Sequence, residues 1–363
     1  MNVVIRSAGA VLVPLLTVAI SIFAAPHQAA AQAMTGITGG GHGYLRQPDG
    51  RFTPVDVPGA TGTMPMGIND HGQIAGTYDD TSGRSHAFVL LNGRYTTLDH
   101  PNATGDATDY GLSGTVASGI NDHGEIVGSY VGTGGIVHGF RLANGKFMPI
   151  DVPGAQETWP FGINNQGRIT VQTVRPDGSQ PQYLLANAAL IPIAYPGANH
   201  SIVHRINDHD VIVGLYVVTP DATPQHGFIQ SHGEFTRFDI PGAAYTGVNA
   251  ASDNGDLTGY YVPENSTDGH AFISTRGKTT SFDAPNAAGT TAFDINDQGQ
   301  IVGTGFPPTN EHIHEPAGFE PAHTVPEGAD LITRHPPSDL HTSARDLVQA
   351  AVPRMFRILM TGR

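Results

Sequence analysis

Histidine and aspartate recur at one fixed spacing along this chain. Four histidines are each followed, thirteen residues later, by an aspartate: His86 and Asp99, His138 and Asp151, His226 and Asp239, and His270 and Asp283. A carboxylate beside an imidazole orients and charges a general base, so this pattern is one that acid–base catalysis uses. A catalytic site is a single asymmetric arrangement, whereas this pair is repeated. We therefore predict buried structural pairs that fix the register between neighbouring strands.

Each pair brackets a short turn. The segment between His138 and Asp151 is centred on Asn144-Gly145, a dipeptide that favours positive φ at both turn positions. Strands that flank such a turn place His138 directly opposite Asp151. One segment of the chain has Pro181 and Ala194 at the equivalent positions, so both partners are lost together. Joint loss agrees with a hydrogen-bonded pair, because either partner alone would be poorly satisfied.

A second phrase, Gly-Ile-Asn-Asp-x-Gly, gives the length of the repeat. Its asparagine position falls six times in the chain, at Asn69, Asn121, Asn164, Asn207, Ser252 and Asn296. Successive positions are 52, 43, 43, 45 and 44 residues apart, and a period of about 40–45 residues is that of a four-stranded propeller blade. The units are rich in Gly, Pro, Asn and β-branched residues, which favour strands and turns. The sequence predicts an all-β fold, a β-propeller of six blades over residues 42–304, with seven blades as the alternative.

The repeated phrases also resemble those of a known family. His86-Ala87-Phe88 and His270-Ala271-Phe272, each followed by Asp-x-Pro-type and Gly-Ile-Asn-Asp-type phrases, are similar to the repeats of the HAF-repeat family of extracellular proteins. The resemblance covers about residues 42–304 and departs from the pattern at Pro181, Ala194 and Ser252. It implies an exported repeat protein and no particular reaction.

The two ends of the chain differ from the repeats. Residues 1–33 combine Arg6, a largely apolar segment and the small-x-small motif Ala31-Gln32-Ala33, which is typical of a secretory signal peptide. Residues 34–41 are predicted to be a flexible lead-in. Residues 305–363 form a tail that either contributes to ring closure or ends as a short helix or disordered segment. After signal removal no segment is long and apolar enough to span a membrane, so we expect a secreted or periplasmic monomer.

Composition excludes some functions. The formal net charge is −14 at pH 7, which argues against a nucleic-acid partner because such partners require a basic surface. The chain contains no cysteine, so disulfides and thiol chemistry are absent. The side-chain oxygen atoms of the Asn-Asp turns are of the type that coordinates calcium, but these turns contain fewer acidic residues than calcium-binding loops do. Turn capping is therefore the favoured role, and no cofactor is expected.

One inserted loop and one aromatic residue are candidates for ligand binding. The 52-residue spacing indicates an insertion of about nine residues near Asp106 and Asp109, and inserted loops in repeat proteins often bind ligands. We name Asp106, Asp109, Tyr110 and Trp159 as candidate binding residues. Trp159, the single tryptophan of the chain, either packs between blades or forms an aromatic platform for a sugar.

These observations favour a non-enzymatic function. We expect an exported binding or scaffold protein that presents its rim loops to a carbohydrate or a protein. One alternative is a carbohydrate-active hydrolase or lyase with a site at the propeller axis, which requires one unit-specific set of acid and base residues converging there. A further alternative is a calcium-dependent surface protein. The repeat pattern alone singles out no catalytic set.

Overall fold

The computed structural model describes residues 40–104, 108, 112–218, 224–266 and 268–307. These residues are almost entirely strands and turns, with one short 3₁₀ helix at Thr133–Gly135. The predicted signal peptide, residues 34–39 of the lead-in and the tail from residue 308 lie outside the described residues. The strands, in chain order, are β1 (His42–Arg46), β2 (Phe52–Pro54), β3 (Gly62–Ile68), β4 (Ile74–Asp79), β5 (Ser85–Leu91), β6 (Arg94–Thr97), β7 (Thr115–Ile120), β8 (Ile126–Val131), β9 (Val137–Ala143), β10 (Lys146–Pro149), β11 (Glu157–Ile163), β12 (Ile169–Val174), β13 (Gln182–Ala186), β14 (Ala189–Ile193), β15 (His200–Ile206), β16 (Ile212–Val217), β17 (Gln225–Ser231), β18 (Glu234–Phe238), β19 (Ala243–Ala251), β20 (Leu257–Pro263), β21 (His270–Thr275), β22 (Lys278–Phe282), β23 (Gly289–Ile295) and β24 (Ile301–Phe306).

These strands form six antiparallel units of four strands. Units I to V contain β3–β6, β7–β10, β11–β14, β15–β18 and β19–β22, and unit VI contains β23, β24, β1 and β2. Units IV and V are joined into one larger sheet by a single parallel bridge between Gln225 and Tyr245. The first strand of each unit contacts the first strands of both neighbouring units. We call β3, β7, β11, β15, β19 and β23 the inner strands, and the predicted β-propeller is confirmed.

The two ends of the described chain close the ring. Strand β1 pairs with β24, so that His42 lies opposite Gly305 and Tyr44 opposite Gly303. The Tyr44 hydroxyl also donates a hydrogen bond to the carbonyl of Thr291 on β23 at 3.1 Å. The expected pairing of the first strand with strands from the end is therefore confirmed. Residues 305 and 306, predicted to belong to the tail, are the last residues of β24.

A second closure lies at the turns between the first two strands of each unit. The residues that follow the repeated asparagine position form a circle that we call the turn ring: Asp70, Asp122, Asn165, Asp208, Asp253 and Asp297. The Oδ1 atom of each member accepts a hydrogen bond from the main-chain N–H of the preceding member at 2.7–2.8 Å, and the N–H of Asp297 donates to Asp70. Six such bonds return to their starting point, so the circle contains six units.

The repeated asparagine joins neighbouring units as well as capping its own turn. Asn121 Oδ1 accepts the N–H of Glu125 at 2.9 Å, whereas Asn121 Nδ2 donates to the carbonyl of Asn164 in the next unit at 3.1 Å. Equivalent bonds between units start from Asn69, Asn164, Asn207 and Asn296. Sequence reasoning predicted the capping role only. The hydrogen bond between units could not be predicted from a single repeat, because its acceptor carbonyl belongs to the next unit.

The turn ring concentrates carboxylates. Burial raises the pKa of Asp70 and of Asp253, and repulsion from neighbouring carboxylates of the ring adds to the rise. Among the described residues, no three His, Asp or Glu side chains are grouped so that they could hold a metal ion. The expectation that these turns bind no cofactor, and the calcium-dependent alternative to it, stay predictions.

The core lies between the units. The phenylalanine of each His-x-Phe phrase is fully or almost fully buried: Phe88, Phe140, Phe228 and Phe272. Each contributes about 1.5–3 kcal/mol by leaving water. The glycine of the Ile-Val-Gly phrase is required by a close approach, since a Cβ atom on Gly128 would lie 2.0 Å from the carbonyl oxygen of Val116 on the inner strand. Across the described ranges, no helix is long and apolar enough to cross a membrane.

Candidate functional site

The four predicted His–Asp pairs all lie within hydrogen-bond distance. The shortest separation between His Nδ1 and an Asp carboxylate oxygen is 2.9 Å for His86 and Asp99, 3.2 Å for His138 and Asp151, 3.1 Å for His226 and Asp239, and 2.9 Å for His270 and Asp283. A tyrosine of the neighbouring strand packs against each imidazole, with ring centroids 5.0–5.5 Å apart. We call these four groups the rim clusters.

Of the rim-cluster pairs only His226 is buried, so the prediction of buried pairs is wrong for the set. The aspartate side chains are 27–48% exposed, and the imidazoles range from 10% for His226 and 16% for His86 to 34% for His138. The reason is positional: each pair connects the two outer strands of its unit, and the outermost strand has no further strand beside it. Exposed ion pairs contribute about 0–1 kcal/mol, so the pairs add less stability than a buried register lock. Their structural role stays a prediction.

The rim cluster of unit V makes a pH-dependent contribution to the stability of the fold. The hydrogen bond that His270 donates to the Asp283 carboxylate raises the pKa of His270 above its ordinary value of 6.5, and burial opposes part of that rise. Because the folded-state pKa is the higher one, the pair stabilises the fold below about pH 6.5 and this contribution is lost as the pH rises through the folded-state pKa. We expect NMR titration of His270 to give a pKa above 6.5 and Asp283→Asn to bring it down. An unchanged pKa in that variant would exclude the carboxylate as the cause.

The candidate binding residues of the insertion and the tryptophan have different outcomes. Asp106, Asp109 and Tyr110 lie outside the described residues. Trp159 lies on β11 and is only 1% exposed, so its assignment to a binding loop was wrong. It packs in an apolar cluster with Met66 and other residues of units I, II, III and VI. An indole enclosed on this scale cannot offer a face to a sugar.

Each inner strand contains a β-bulge at the equivalent position. The bulged residues are Met66, Ser118, Phe161, His204, Asn249 and Phe293. A bulge redirects the side chains around it. The residue after each bulge is Gly67, Gly119 and Gly162 in units I to III, but Arg205 in unit IV and Asp294 in unit VI. Two charged side chains thus stand where the repeat has glycine.

Arg205 reaches across the channel that the inner strands surround. Its guanidinium donates to main-chain carbonyl oxygens of three other units, those of Phe161 at 2.8 Å, Phe293 at 3.4 Å and Met66. It also forms an ion pair with Asp294, with Nε and Oδ1 3.4 Å apart and both side chains close to burial at 11% and 12% exposure. Burial raises the pKa of Asp294, and Arg205 offsets only part of that rise. Arg205 therefore obstructs the channel at the level of the bulges.

The channel has a mouth where the inner strands begin, at the end opposite the turn ring. The residues four positions before the six bulges lie there: Gly62, Gly114, Glu157, His200, Tyr245 and Gly289. Units VI, I and II thus contribute only glycine, whereas the consecutive units III, IV and V contribute an acid, an imidazole and a phenol. All three of these side chains are half-buried. The sixfold equivalence of the repeat is therefore broken on one side of the mouth.

Beneath the mouth the inner strands carry buried side chains. The residues two positions further along five of these strands are buried, namely Met64, Val116, Trp159, Ile202 and Thr291. Met64, Val116 and Trp159 belong to one apolar cluster and form a floor together with Arg205, whereas Ile202 packs against Leu215 and Tyr260. The Trp159 indole donates to Glu157 Oε2 at 3.1 Å, which ties the carboxylate to this floor. A ligand at the mouth thus meets polar side chains at the entrance and an apolar base.

His200 and Tyr245 lie in a recess rather than on an open surface. Both are partly exposed, yet burial lowers the pKa of His200 to about 4 and raises the pKa of Tyr245. The imidazole is therefore neutral at pH 7. His200 makes no hydrogen bond to another described residue, whereas buried His204 bonds with the carbonyl of Val248 at 3.0 Å. The mouth thus offers a neutral imidazole, a neutral phenol and one carboxylate.

Neither Arg205 with Asp294 nor the residues of the mouth were predicted from the sequence. The first pair had a readable signal, because charged residues replace the glycine of a phrase that was already aligned. The mouth residues lie before the recognisable phrase, where the units differ in almost every position. Only the positions of the bulges make Glu157, His200 and Tyr245 equivalent.

Comparison with known proteins assigns neither a family nor a function to this chain. No protein family model matches this chain, and no curated protein matches it. Similar solved structures include TolB from Acinetobacter baumannii (13% identity, 75% of this chain, 66% of that chain, TM-score 0.48). They also include the β-propeller domain of the Trilobed protease from Pyrococcus furiosus (13% identity, 65% and 76%, TM-score 0.38) and a six-bladed propeller lectin from Aleuria aurantia (11%, 74% and 92%, TM-score 0.38). All three TM-scores are below 0.5, so no functional argument rests on them.

Proposed function

We propose that this chain is an exported, non-enzymatic binding protein of the HAF-repeat type that takes one ligand at the mouth of its channel. The observation that carries the proposal is the break in sixfold equivalence at Glu157, His200 and Tyr245. A repeat retains what the fold needs in every unit. Polar side chains confined to one side of an otherwise glycine-lined circle are not required by the repeat itself, and a recess with a few polar groups is the usual form of a ligand site.

The chemistry at the mouth favours binding over catalysis. A general base works best when its pKa is near the operating pH, and the pKa of His200, about 4, is far below neutrality. No carboxylate among the described residues hydrogen-bonds His200, so the imidazole lacks the orienting partner that a catalytic histidine normally has. A neutral imidazole is nonetheless a good ligand contact, since it supplies one donor and one acceptor.

The remaining parts of the proposal follow from the sequence. The predicted signal peptide at residues 1–33 supports export to the periplasm or the cell exterior. The predicted monomeric state is compatible with one ligand for each chain. Rim loops and rim clusters then serve the scaffold, and any protein partner would contact them rather than the recessed mouth.

Substitution at the mouth tests the proposal. We expect a ligand-observed NMR screen of a fragment and glycan panel to give hits that compete for one site. Glu157→Gln, His200→Ala and Tyr245→Phe should each weaken these hits about five- to thirtyfold, because each removes one polar contact worth about 1–2 kcal/mol. His226→Ala, which changes a rim cluster, is the matched control and should bind normally.

Two results would contradict the proposal. Hits that bind equally well to all three mouth variants would place the site elsewhere. Conversion of a hit to product by the wild-type protein, followed by mass spectrometry and abolished by His200→Ala, would make the mouth an active site.

A further inference from the structure

The mouth carries a charge pattern that limits which ligands it accepts. Between the start of each inner strand and its bulge, Glu157 is the only Asp, Glu, Lys or Arg among the described residues. Its Oε2 atom already accepts the Trp159 indole N–H at 3.1 Å. The nearest cation on these strands, Arg205, lies beyond the bulge and is committed to Asp294 and to main-chain carbonyls. Among the charged side chains of this part of the inner strands, a ligand at the mouth therefore meets only the Glu157 carboxylate.

The hydrogen-bonding groups at the mouth are mixed. A neutral imidazole and a phenol each donate and accept one or more hydrogen bonds, whereas the carboxylate only accepts. Hydroxyl groups also donate and accept, so a polyhydroxylated ligand matches all three side chains at once. The Tyr245 ring adds a partly exposed aromatic face, and the flat apolar side of a sugar ring packs well against such a face.

The opposite side of the mouth has no side chains at the equivalent positions. Gly62 and Gly289, which flank the junction of units VI and I, are both buried. The floor beneath is apolar and closed by Arg205. This geometry suits a single terminal ring rather than a chain threaded through the propeller.

We propose that the ligand of the mouth is an uncharged sugar residue, held by Glu157, His200 and Tyr245, and that Glu157 excludes acidic sugars. This inference rests on the proposed function and deepens it by naming the ligand class. A carboxylate on the ligand would face the half-buried Glu157 carboxylate, and like charges repel more strongly at such a site than in open solvent. The overall charge of −14 acts in the same direction at longer range.

The experiment compares ligands that differ in charge only. Methyl hexosides of glucose, galactose and mannose, the corresponding methyl uronides and the corresponding amino-sugar glycosides are titrated by NMR. We expect at least one neutral hexoside to bind and its uronide to bind at least tenfold more weakly. Glu157→Gln should reduce that difference to less than threefold, because it removes the repulsion and keeps the shape of the side chain. His226→Ala should leave both affinities unchanged.

The outcomes separate this inference from the proposed function. Uronides or amino-sugar glycosides that bind wild type more tightly than the neutral hexosides would overturn the ligand class and leave the site intact. The same holds if no methyl glycoside binds while other small molecules still compete at the mouth. Hexosides that bind equally to Glu157→Gln, His200→Ala and Tyr245→Phe would overturn both proposals, because binding would then occur elsewhere.

Discussion

Replacing Arg205 with methionine is expected to lower the free energy of unfolding by about 3–5 kcal/mol. The substitution leaves the Asp294 carboxylate nearly buried without its cation, and it removes hydrogen bonds from three carbonyls of other units. The pKa of Asp294 is raised by burial even with Arg205 present, which shows how costly that charge is. Denaturant unfolding followed by the fluorescence of Trp159, the single buried tryptophan, measures the loss.

Two further variants make the Arg205 result interpretable. Arg168→Met removes an ion pair with Asp210 in which both side chains are more than a third exposed, and it should change stability by less than about 1 kcal/mol. The double variant Arg205→Met with Asp294→Leu should be more stable than Arg205→Met alone, since no unpaired charge remains. If Arg205→Met unfolds like Arg168→Met, the assignment of Arg205 as a contact between opposite units is wrong.

Replacing Asn121 with alanine is expected to cost about 1–3 kcal/mol. Asn121 is 4% exposed, and its side chain bonds with the N–H and the carboxylate of Glu125 and with the carbonyl of Asn164 in the next unit. Truncation leaves buried main-chain groups without partners on both sides of a unit boundary. The same denaturant unfolding measures the effect, and His123→Ala in the same turn is the control because its side chain is exposed.

Unit V lacks the repeated asparagine, so the opposite substitution can be made there. Serine replaces the repeated asparagine at Ser252, and its shorter side chain accepts the N–H of Asp256. Ser252→Asn should add the bond to the carbonyl of Asn296 and stabilise the protein by about 1 kcal/mol. If Ser252→Asn lowers the free energy of unfolding and Asn121→Ala leaves it unchanged, then these asparagines do not connect neighbouring units as described.

Those features that every unit repeats could be predicted from the sequence. The period of the asparagine phrase predicted the four-stranded units, and the Asn144-Gly145 turn predicted that His138 faces Asp151. The exposure of that pair could not be predicted, because a repeat shows which residues pair and not how many strands lie outside them. The turn ring was missed for a related reason: each of its hydrogen bonds joins two units, so its geometry appears only once the ring is closed.

Residues that depart from the repeat were the hardest to interpret. Trp159 was noticed because it is the only tryptophan, and the sequence left packing between blades and a sugar platform as its two roles; the structure buries it, which agrees with packing. Arg205 and Asp294 lie 89 positions apart in the sequence and meet only because the closed ring brings units IV and VI to the same channel. Analysis of the repeats identifies residues that recur in every unit, whereas the candidate site consists of residues that each occur in one unit only.

The stoichiometry of ligand binding tests the central claim most directly. Isothermal titration of the wild-type protein with its tightest-binding methyl hexoside should give one molecule bound for each chain, because Glu157, His200 and Tyr245 occur together once. Four molecules for each chain would contradict the account, since four is the number of rim clusters and would assign binding to the repeated Tyr, His and Asp groups instead.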